Sequence, residues 1–257
     1  MARLSAADDP EICTSKAHPK LAERMSEGIE NALASRSSVV GVAMADTSEG
    51  ITCQMHQWWH FDAASVVKVI ILGALLHELM TEHRDLSARQ VILTREMITE
   101  SSNSAATALW DEVGMTNLRH FLYRAKMTHT KLNQAWGLTQ INAHDELLLL
   151  RLLITKNTVL DKPSRAYALR LMAQVIAAQR WGVPYGAPSD VRVHVKNGWL
   201  PLPTGGWRIN SIGDFTGHHR DYSIAILTKD NPSMEYGIVT IQAAAQVINR
   251  DLSERRG

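Results

Sequence analysis

The sequence has little of several features that define common protein classes. It has only two cysteines, Cys13 and Cys53, far apart in the chain, so reduced thiols are expected rather than a disulfide framework or a metal site. Its 27 Lys and Arg residues nearly balance 26 Asp and Glu residues, for a net charge of +1. This balance gives no electrostatic reason to expect nucleic acid or an anionic membrane as a partner. The expected partner is a small molecule.

Long hydrophobic runs are also scarce. No apolar run is expected to reach the length of a membrane span, and residues 1–10 lack the hydrophobic segment of a signal peptide. The sequence therefore predicts a cytoplasmic location without membrane contact, unless a leader has been removed. Repeats, low-complexity tracts and flexible linkers are absent too, which favours a single domain over residues 1–257.

What is present predicts a mixed α/β (α+β) fold. An amphipathic helix over Pro19–Leu33 and a two-strand hairpin begin the chain, and three strands between 191 and 228 and a long helix end it. Helical patterns fill the middle. We expect an antiparallel five-stranded sheet built from both termini, flanked by helices, plus an all-helical lobe. The expected bounds are about 17–61 and 190–257 for the sheet lobe and about 62–189 for the helical lobe.

The most informative stretch is the apolar helix that begins at Val66. It is apolar nearly all round, apart from Lys68, and therefore belongs in the protein interior. Ser65 lies one helical turn earlier on the same face, which brings the two side chains within reach of one hydrogen bond. Burial lowers the pKa of a lysine, and a neutral amine can accept the proton of a serine nucleophile. The alternative is a lysine whose amine reaches solvent from the helix end.

Two later motifs accompany Ser65 and Lys68. Residues 101–103, Ser-Ser-Asn, open an alanine-rich helix, where an N-cap is the simplest interpretation, and residues 196–198, Lys-Asn-Gly, lie in a predicted strand. In this order the three motifs resemble the Ser-x-x-Lys, Ser-x-Asn and Lys-Thr-Gly elements of the serine β-lactamase and penicillin-binding-protein superfamily. Chain length and element order resemble the class A β-lactamase branch, and the run 195–201 resembles actinobacterial serine hydrolases.

The resemblance implies a division of labour among the catalytic residues. Ser65 would attack a carbonyl carbon and carry the acyl group, and Lys68 would accept its proton. Ser101 would relay a proton to the leaving group with the help of Lys196, whose charge would also attract a substrate carboxylate.

It also implies that five residues contact the substrate. Asn103 would hydrogen-bond to a substrate amide, and the backbone N–H groups of Ser65 and Trp199 would form the oxyanion hole. Gly198, without a Cβ, would let the substrate lie against its strand. Asn197 stands where the family has a threonine or serine hydroxyl near the substrate carboxylate.

The sequence departs from the class A pattern in ways that bear on turnover. Ser102 stands where class A enzymes have aspartate, and the loop Met127–Asn133 contains no acidic residue to activate the deacylating water. His129 falls near the position of the missing glutamate. Weak or no β-lactamase activity is therefore expected, with an amide, an ester or a D-amino-acid peptide as substrate and water or an amine as acceptor. The alternative is a catalytically silent protein that binds a β-lactam or a peptide.

Other residues allow two interpretations. Trp136, Trp181, Trp199 and Trp207 could form an aromatic substrate pocket or serve in ordinary packing. Either Arg208 or Arg220 could hold a substrate carboxylate, or both could lie on the surface. The adjacent residues 218 and 219, both histidines, lack a third spaced ligand and favour a solvated turn, so no metal and no cofactor are expected.

Overall fold

The computed structural model of the protein describes residues 11–203, 206–217 and 220–254. The strands are β1 (Cys13–Ser15), β2 (Val39–Asp46), β3 (Ile51–Met55), β4 (Phe61–Asp62), β5 (Gln140–Ile141), β6 (Arg192–Leu202), β7 (Gly206–Gly217) and β8 (Arg220–Asn231). The α-helices are α1 (Pro19–Leu33), α2 (Val67–Thr81), α3 (Ala88–Thr99), α4 (Asn103–Arg124), α5 (Ala143–Ile154), α6 (Lys162–Ala173) and α7 (Met234–Ser253).

The main sheet is antiparallel and is assembled from both ends of the chain, as predicted. Its strand order is β1-β3-β2-β8-β7-β6, so the early strand β2 pairs with the last strand β8. The mixed α/β class is confirmed, but the sheet has six strands rather than five. The additional strand is β1, whose three residues are too few to show a periodicity in the sequence. A separate pair, β4 and β5, lies outside this sheet.

Strand β1 also corrects the expectation of reduced thiols. The antiparallel register places Cys13 directly opposite Cys53, with their Cα atoms 3.9 Å apart, and the two form a disulfide across 40 residues of sequence. Their proximity is a consequence of strand pairing, which the linear spacing of the two residues did not reveal. The bond fastens the edge strand to the sheet.

Helix α2 runs through the protein interior. The segment Ala64–Thr81 is, contrary to expectation, long and apolar enough to cross a membrane by length and composition alone, with a mean hydropathy of 1.7. However, 78% of it is buried within the fold, and Gly73 lies against the ring of Phe121 in α4. Its apolar character is explained by its place in the hydrophobic core.

Some of the other helices pack against the sheet, and the rest belong to the helical lobe. Both α5 and α7 pack against β7 and β8, so these strands are covered by helices. Asn142 caps α5 by accepting a hydrogen bond from the backbone N–H of Asp145. Helix α6 ends at Ala173, and a short 3-10 helix, Ala177–Gln179, follows it.

The disulfide generates a stability prediction. A cross-link that closes a loop of about 40 residues restricts the unfolded chain and is expected to contribute about 4 kcal/mol to the free energy of unfolding. Replacing both Cys13→Ala and Cys53→Ala should lower the urea midpoint accordingly. Reductant should lower the stability of the wild-type protein toward that of the variant and leave the variant unchanged. Equal midpoints for the two proteins without reductant would show that the bond contributes nothing.

Candidate active site

Ser65 lies in a short 3-10 helix, Ala64–Val66, directly before α2. The backbone leading to it is tied to the sheet by Asn210 of β7. The side-chain amide of Asn210 donates hydrogen bonds to the carbonyl oxygens of Asp62 at 2.9 Å and Ala63 at 3.1 Å. Asn210 itself is fully buried and accepts a hydrogen bond from the backbone N–H of Thr228. The side chain of Asn210 therefore holds the backbone before the half-buried Ser65 against the sheet.

Gly198 of β6 lies directly against this turn. A Cβ atom at position 198 would fall 2.7 Å from the backbone nitrogen of Ser65, 2.9 Å from that of Val66 and 3.0 Å from the carbonyl oxygen of Ala63. Because these neighbours are backbone atoms, they cannot move aside as a flexible side chain would. Only glycine allows β6 to approach so closely, and this approach brings the next residue, Trp199, beside Ser65.

Lys68 is fully buried on the first turn of α2. Its Nζ lies 2.7 Å from the carbonyl oxygen of Ser101, 3.1 Å from Ser101 Oγ and 2.8 Å from Asn103 Oδ1. The lysine is thus directed toward the second motif, and the hydrogen bond that we expected between Lys68 and Ser65, both within the described residues, is not formed. Burial lowers the pKa of Lys68 to about 7, because removal from water disfavours the charged amine.

The hydroxyl group of Ser101 is shared by two lysines. Lys196 is fully buried, and its Nζ donates to Ser101 Oγ at 3.0 Å and to the carbonyl oxygen of Asn197 at 2.8 Å. Burial, and then the proximity of Lys68, lower the pKa of Lys196 well below its usual range. Two amines of reduced basicity thus flank one hydroxyl, and the charged forms of both together are strongly disfavoured.

The backbone at Ser101 is in a conformation that is uncommon for a residue with a side chain. Its φ angle is +60°, and that of Ala64, next to Ser65, is +48°. Such conformations cost about 1–3 kcal/mol each and occur often at functional sites. At Ser101 this turn lets the carbonyl oxygen and the hydroxyl group of one residue meet the same lysine. The predicted N-cap role belongs to Ser102, which accepts a hydrogen bond from the backbone N–H of Ala105.

These residues border one surface cleft with a volume of about 470 Å³. The cleft is lined by Ala64, Ser65, Asn103, Ala135, Trp136, Gly137, Leu138, Trp199, Leu200 and Leu202. Lys68 lies behind this lining, where its Nζ is 5.1 Å from the centre of the Trp136 ring. The three sequence motifs therefore meet at a single cleft, and none of the ten lining residues is charged.

Asn197 requires a correction to its expected role as a substrate-binding residue. Its side chain is fully buried, and its amide nitrogen donates to the carbonyl oxygens of Gln179 and Trp181, each at 2.8 Å. Successive residues of a strand point to opposite faces, so Asn197 points away from the face that carries Lys196 and Gly198. Its amide joins β6 to the loop after α6 and does not reach the position of a substrate carboxylate.

His129 lies outside the cleft lining. Its backbone N–H donates to Asp145 Oδ2 at 3.0 Å, and its ring contacts that of Trp58 with 4.7 Å between centres. The side chain of Asp145 also accepts a hydrogen bond from Thr130 Oγ1, so this buried carboxylate anchors the loop that contains His129. The position of the histidine gives no support to its role as a substitute base.

The tryptophans divide between the cleft and other places. Trp136 and Trp199 line the cleft, whereas Trp181 packs near Trp199, with ring centres 6.0 Å apart. Trp207 is outside the lining, and its carbonyl oxygen accepts a hydrogen bond from the side-chain amide of Asn231.

Both candidate arginines have acidic partners. Arg208 forms ion pairs with Asp62 and Asp230, each at 3.1 Å. Arg220 lies 3.6 Å from Asp190, at the opposite end of β8. The two histidines at 218 and 219, predicted to lie in a solvated turn, fall outside the described residues.

Sequence reasoning missed Asn210, which shapes the site, and did not single out Trp136 among the four candidate pocket tryptophans. Asn210 lies in a strand that also contains the polar residues Ser211 and Asp214, so no signal in the sequence singled it out. Trp136 was considered only as one of four tryptophans. No periodic signal marks the short 3-10 helix, Trp136–Leu138, that brings it over Lys68.

The fold and the meeting of the three motifs define the class of β-lactamase-like serine hydrolases. The model of the Beta-lactamase enzyme family matches residues 80–252, and the chain belongs to this family. The match includes Ser101, Asn103 and Lys196, whereas Ser65 and Lys68 precede it. No curated protein matches the sequence.

Solved structures share the fold at low sequence identity. A class A β-lactamase from Bacteroides cellulosilyticus is 16% identical, with a TM-score of 0.78 and coverage of 90% of this chain and 98% of the other. A β-lactamase from Sphaerobacter thermophilus is 18% identical, with a TM-score of 0.77 and coverage of 91% and 97%. A point mutant of PBP-A, as an acyl-enzyme complex with penicillin G, is 14% identical, with a TM-score of 0.78 and coverage of 90% and 97%.

The close approach at Gly198 generates a prediction that uses a second cleft glycine as its control. Gly198→Ala should push the Ser65 turn away from β6 and slow the labelling of Ser65 by a fluorophosphonate roughly 100-fold, since small displacements of reacting groups have large effects. Gly137→Ala should label at close to the wild-type rate, because its new Cβ would meet only one atom, at 4.0 Å. Circular dichroism would verify that both variants fold. Equal labelling rates for the two variants would contradict this explanation of Gly198.

Proposed function

We propose that the protein is a serine hydrolase that forms a covalent acyl-enzyme at Ser65. The observation that carries this proposal is the hydroxyl group of Ser101, held 3.1 Å from one buried amine and 3.0 Å from another. Burial of a lysine lowers the free energy of unfolding, because its charged form is strongly disfavoured away from water, so two buried lysines on one hydroxyl favour a functional role. A chain of amines and a hydroxyl beside a serine is suited to moving protons during acyl transfer.

In the acylation step the amine of Lys68 acts in its neutral form. A neutral amine has two N–H donors and one lone pair, and the two carbonyl oxygens of Ser101 and Asn103 accept the donors. The lone pair then faces the hydroxyl of Ser101. Rotation about the last bond of the side chain turns the lone pair toward Ser65, whose oxygen attacks the carbonyl carbon as its proton passes to Lys68.

The same groups return the proton as the tetrahedral intermediate collapses. Ser101 donates its hydroxyl proton to the leaving oxygen or nitrogen and regains one from Lys68, while Lys196 holds the hydroxyl in place. The backbone N–H groups of Ser65 and Trp199 stabilise the oxyanion, a role supported by the close approach of β6 to the Ser65 turn at Gly198.

Deacylation is expected to be slow. None of the ten described residues that line the cleft is acidic, and the loop in which class A enzymes carry their glutamate presents Trp136, Gly137 and Leu138 instead. Loss of a general base typically slows such a step by about 10²–10⁴-fold. We therefore propose weak β-lactamase activity at most. One solved relative, a PBP-A mutant, was captured as an acyl-enzyme with penicillin G, which supports a lasting covalent intermediate in this fold.

Two alternatives follow from the same site. Slow hydrolysis favours transfer of the acyl group to an amine, as in a D,D-peptidase-like acyltransferase. A catalytically silent binding protein is disfavoured, since a binder has no need of two buried amines on one hydroxyl. The cytoplasmic location predicted from the N-terminus stays a prediction, and the disulfide favours an oxidising compartment instead.

Covalent labelling tests the proposed nucleophile. Incubation with a fluorophosphonate should add the mass of one phosphonyl group. Excess penicillin G should slowly add one penicilloyl group, and this adduct should persist for many minutes because no base activates water. Intact mass spectrometry measures both results. Ser65→Ala should abolish the adduct, whereas Ser102→Ala, a change at the neighbouring N-cap, should retain it. An adduct that survives in Ser65→Ala, or rapid turnover of nitrocefin by the wild-type protein, would refute the proposal.

The lowered pKa of Lys68 predicts the pH dependence of acylation. Because the neutral amine is the base, the rate constant for fluorophosphonate labelling should rise about tenfold per pH unit below pH 7 and level off above about pH 8. Intact mass spectrometry of samples quenched at timed intervals, between pH 5 and 10, measures the dependence of this rate constant on pH. A rate that still rises between pH 9 and 10 would mean that Lys68 keeps an ordinary pKa and is charged at neutral pH.

A further inference from the structure

The walls of the cleft are apolar where a substrate would bind. Trp136 and Leu138 of the short 3-10 helix form one wall, and Trp199, Leu200 and Leu202 at the end of β6 form the other. Ser65 and Asn103 are the polar side chains among the ten lining residues. Such a lining stabilises apolar groups of a ligand and strongly disfavours an unpaired charge.

Each lysine of the site is occupied and out of contact with the cleft. Lys68 and Lys196 are fully buried, and their amines contact Ser101, Asn103 and the backbone of Asn197. A carboxylate in the cleft would have to displace these contacts, and burial lowers the pKa of both amines and so disfavours the charged forms that would pair with it.

Arg208, beside the cleft, is also held by hydrogen bonds to acidic side chains. Arg208 is paired across the strands with Leu200 of the cleft wall, but its side chain is only 13% exposed. Its Nε bonds to Asp62, and its Nη1 bonds to Asp230. Asp62 also accepts a hydrogen bond from the side-chain amide of Gln140, so this carboxylate belongs to a network that holds the guanidinium group in place.

We propose that the cleft is specific for neutral acyl donors, namely esters or amides with an aromatic or aliphatic group and without a carboxylate. The inference rests on the proposed function and concerns the same site. With an ester as the substrate, the reaction is ordinary ester hydrolysis. The Ser65 oxygen bonds to the carbonyl carbon, the bond to the leaving oxygen breaks, and the serine proton ends on the leaving alcohol. Water then releases the acid and restores the hydroxyl group of Ser65.

A matched pair of substrates tests this specificity. Both are aryl esters of N-phenylacetylglycine, one with 3-hydroxybenzoate as its leaving group and the other with methyl 3-hydroxybenzoate. They differ by one negative charge far from the reacting carbonyl, and their rates with hydroxide correct for intrinsic reactivity. We expect the neutral ester to have at least about tenfold higher kcat/KM. Equal rates, or a faster charged ester, would overturn the inference.

Ser65→Ala separates this test from the proposed function. If the wild-type enzyme turns over both esters equally and the variant turns over neither, the specificity inference fails and the nucleophile stands. If the variant retains the wild-type rates, or if the wild-type enzyme acts on neither ester, the proposed function fails and the inference falls with it.

A second variant tests the engagement of Arg208 directly. Asp230→Asn removes one of its two carboxylate partners and should raise kcat/KM for the charged ester about threefold or more without raising that for the neutral ester. Asp190→Asn is the matched control, because it removes the partner of Arg220 at the other end of β8 and should leave the ratio unchanged. If Asp230→Asn leaves the ratio of kcat/KM for the two esters unchanged, the inference that its ion pairs keep Arg208 from binding a substrate carboxylate is overturned.

Discussion

The burial of two amines on one hydroxyl is the constraint from which the rest of the site follows. Lys68 and Lys196 are removed from water, so each must find hydrogen-bond acceptors within the protein, and each loses basicity. Ser101 meets part of both demands, since its hydroxyl contacts both amines and its carbonyl oxygen accepts from Lys68. The left-handed backbone of Ser101 is explained by this double use of one residue. Amines of lowered pKa can act as bases, but they carry less of the positive charge that would attract an anionic substrate.

The two halves of the chain meet at the turn that carries Ser65, and backbone contacts hold them there. Asn210 fixes the turn from β7, and Gly198 admits it against β6, so the position of the serine depends on strands that lie more than 130 residues later. This arrangement explains why the site requires the sheet to be assembled from both termini. Ser65, the proposed nucleophile, comes from the helical side of the junction, and Asn210 and Gly198, which hold its turn in place, come from the sheet.

Much of the fold could be predicted from the sequence, because α1, the late strands and the buried α2 have strong periodic patterns. The order of the three motifs also predicted that one site contains Ser65, Lys68, Ser101 and Lys196. The partner of Lys68 could not be predicted, since spacing along a helix gives the face of a side chain and not the acceptor that a distant loop supplies. The disulfide could not be predicted either, because it depends on the register of a three-residue strand. The orientation of Asn197 was within reach, because alternation along β6 already separates it from Lys196.

The loop between α4 and α5 determines how long an acyl group could remain on Ser65. It is anchored at one end by the buried carboxylate of Asp145, which accepts hydrogen bonds from His129 and Thr130, and at the other by the pairing of β5 with β4. Between these anchors the loop places Trp136 over Lys68 and contributes no acidic side chain to the cleft lining. The carboxylate of Asp145 is thus used to hold the loop and is not available to activate water.

The lack of a base and the lack of an exposed cation among the described lining residues have a common origin. The charged groups described around this cleft are either buried amines of lowered pKa, as Lys68 and Lys196 are, or paired with one another, as Arg208 is with Asp62 and Asp230. An apolar cleft of this kind favours substrates that bring no charge, because an unpaired charge would lose its hydration there without gaining a partner.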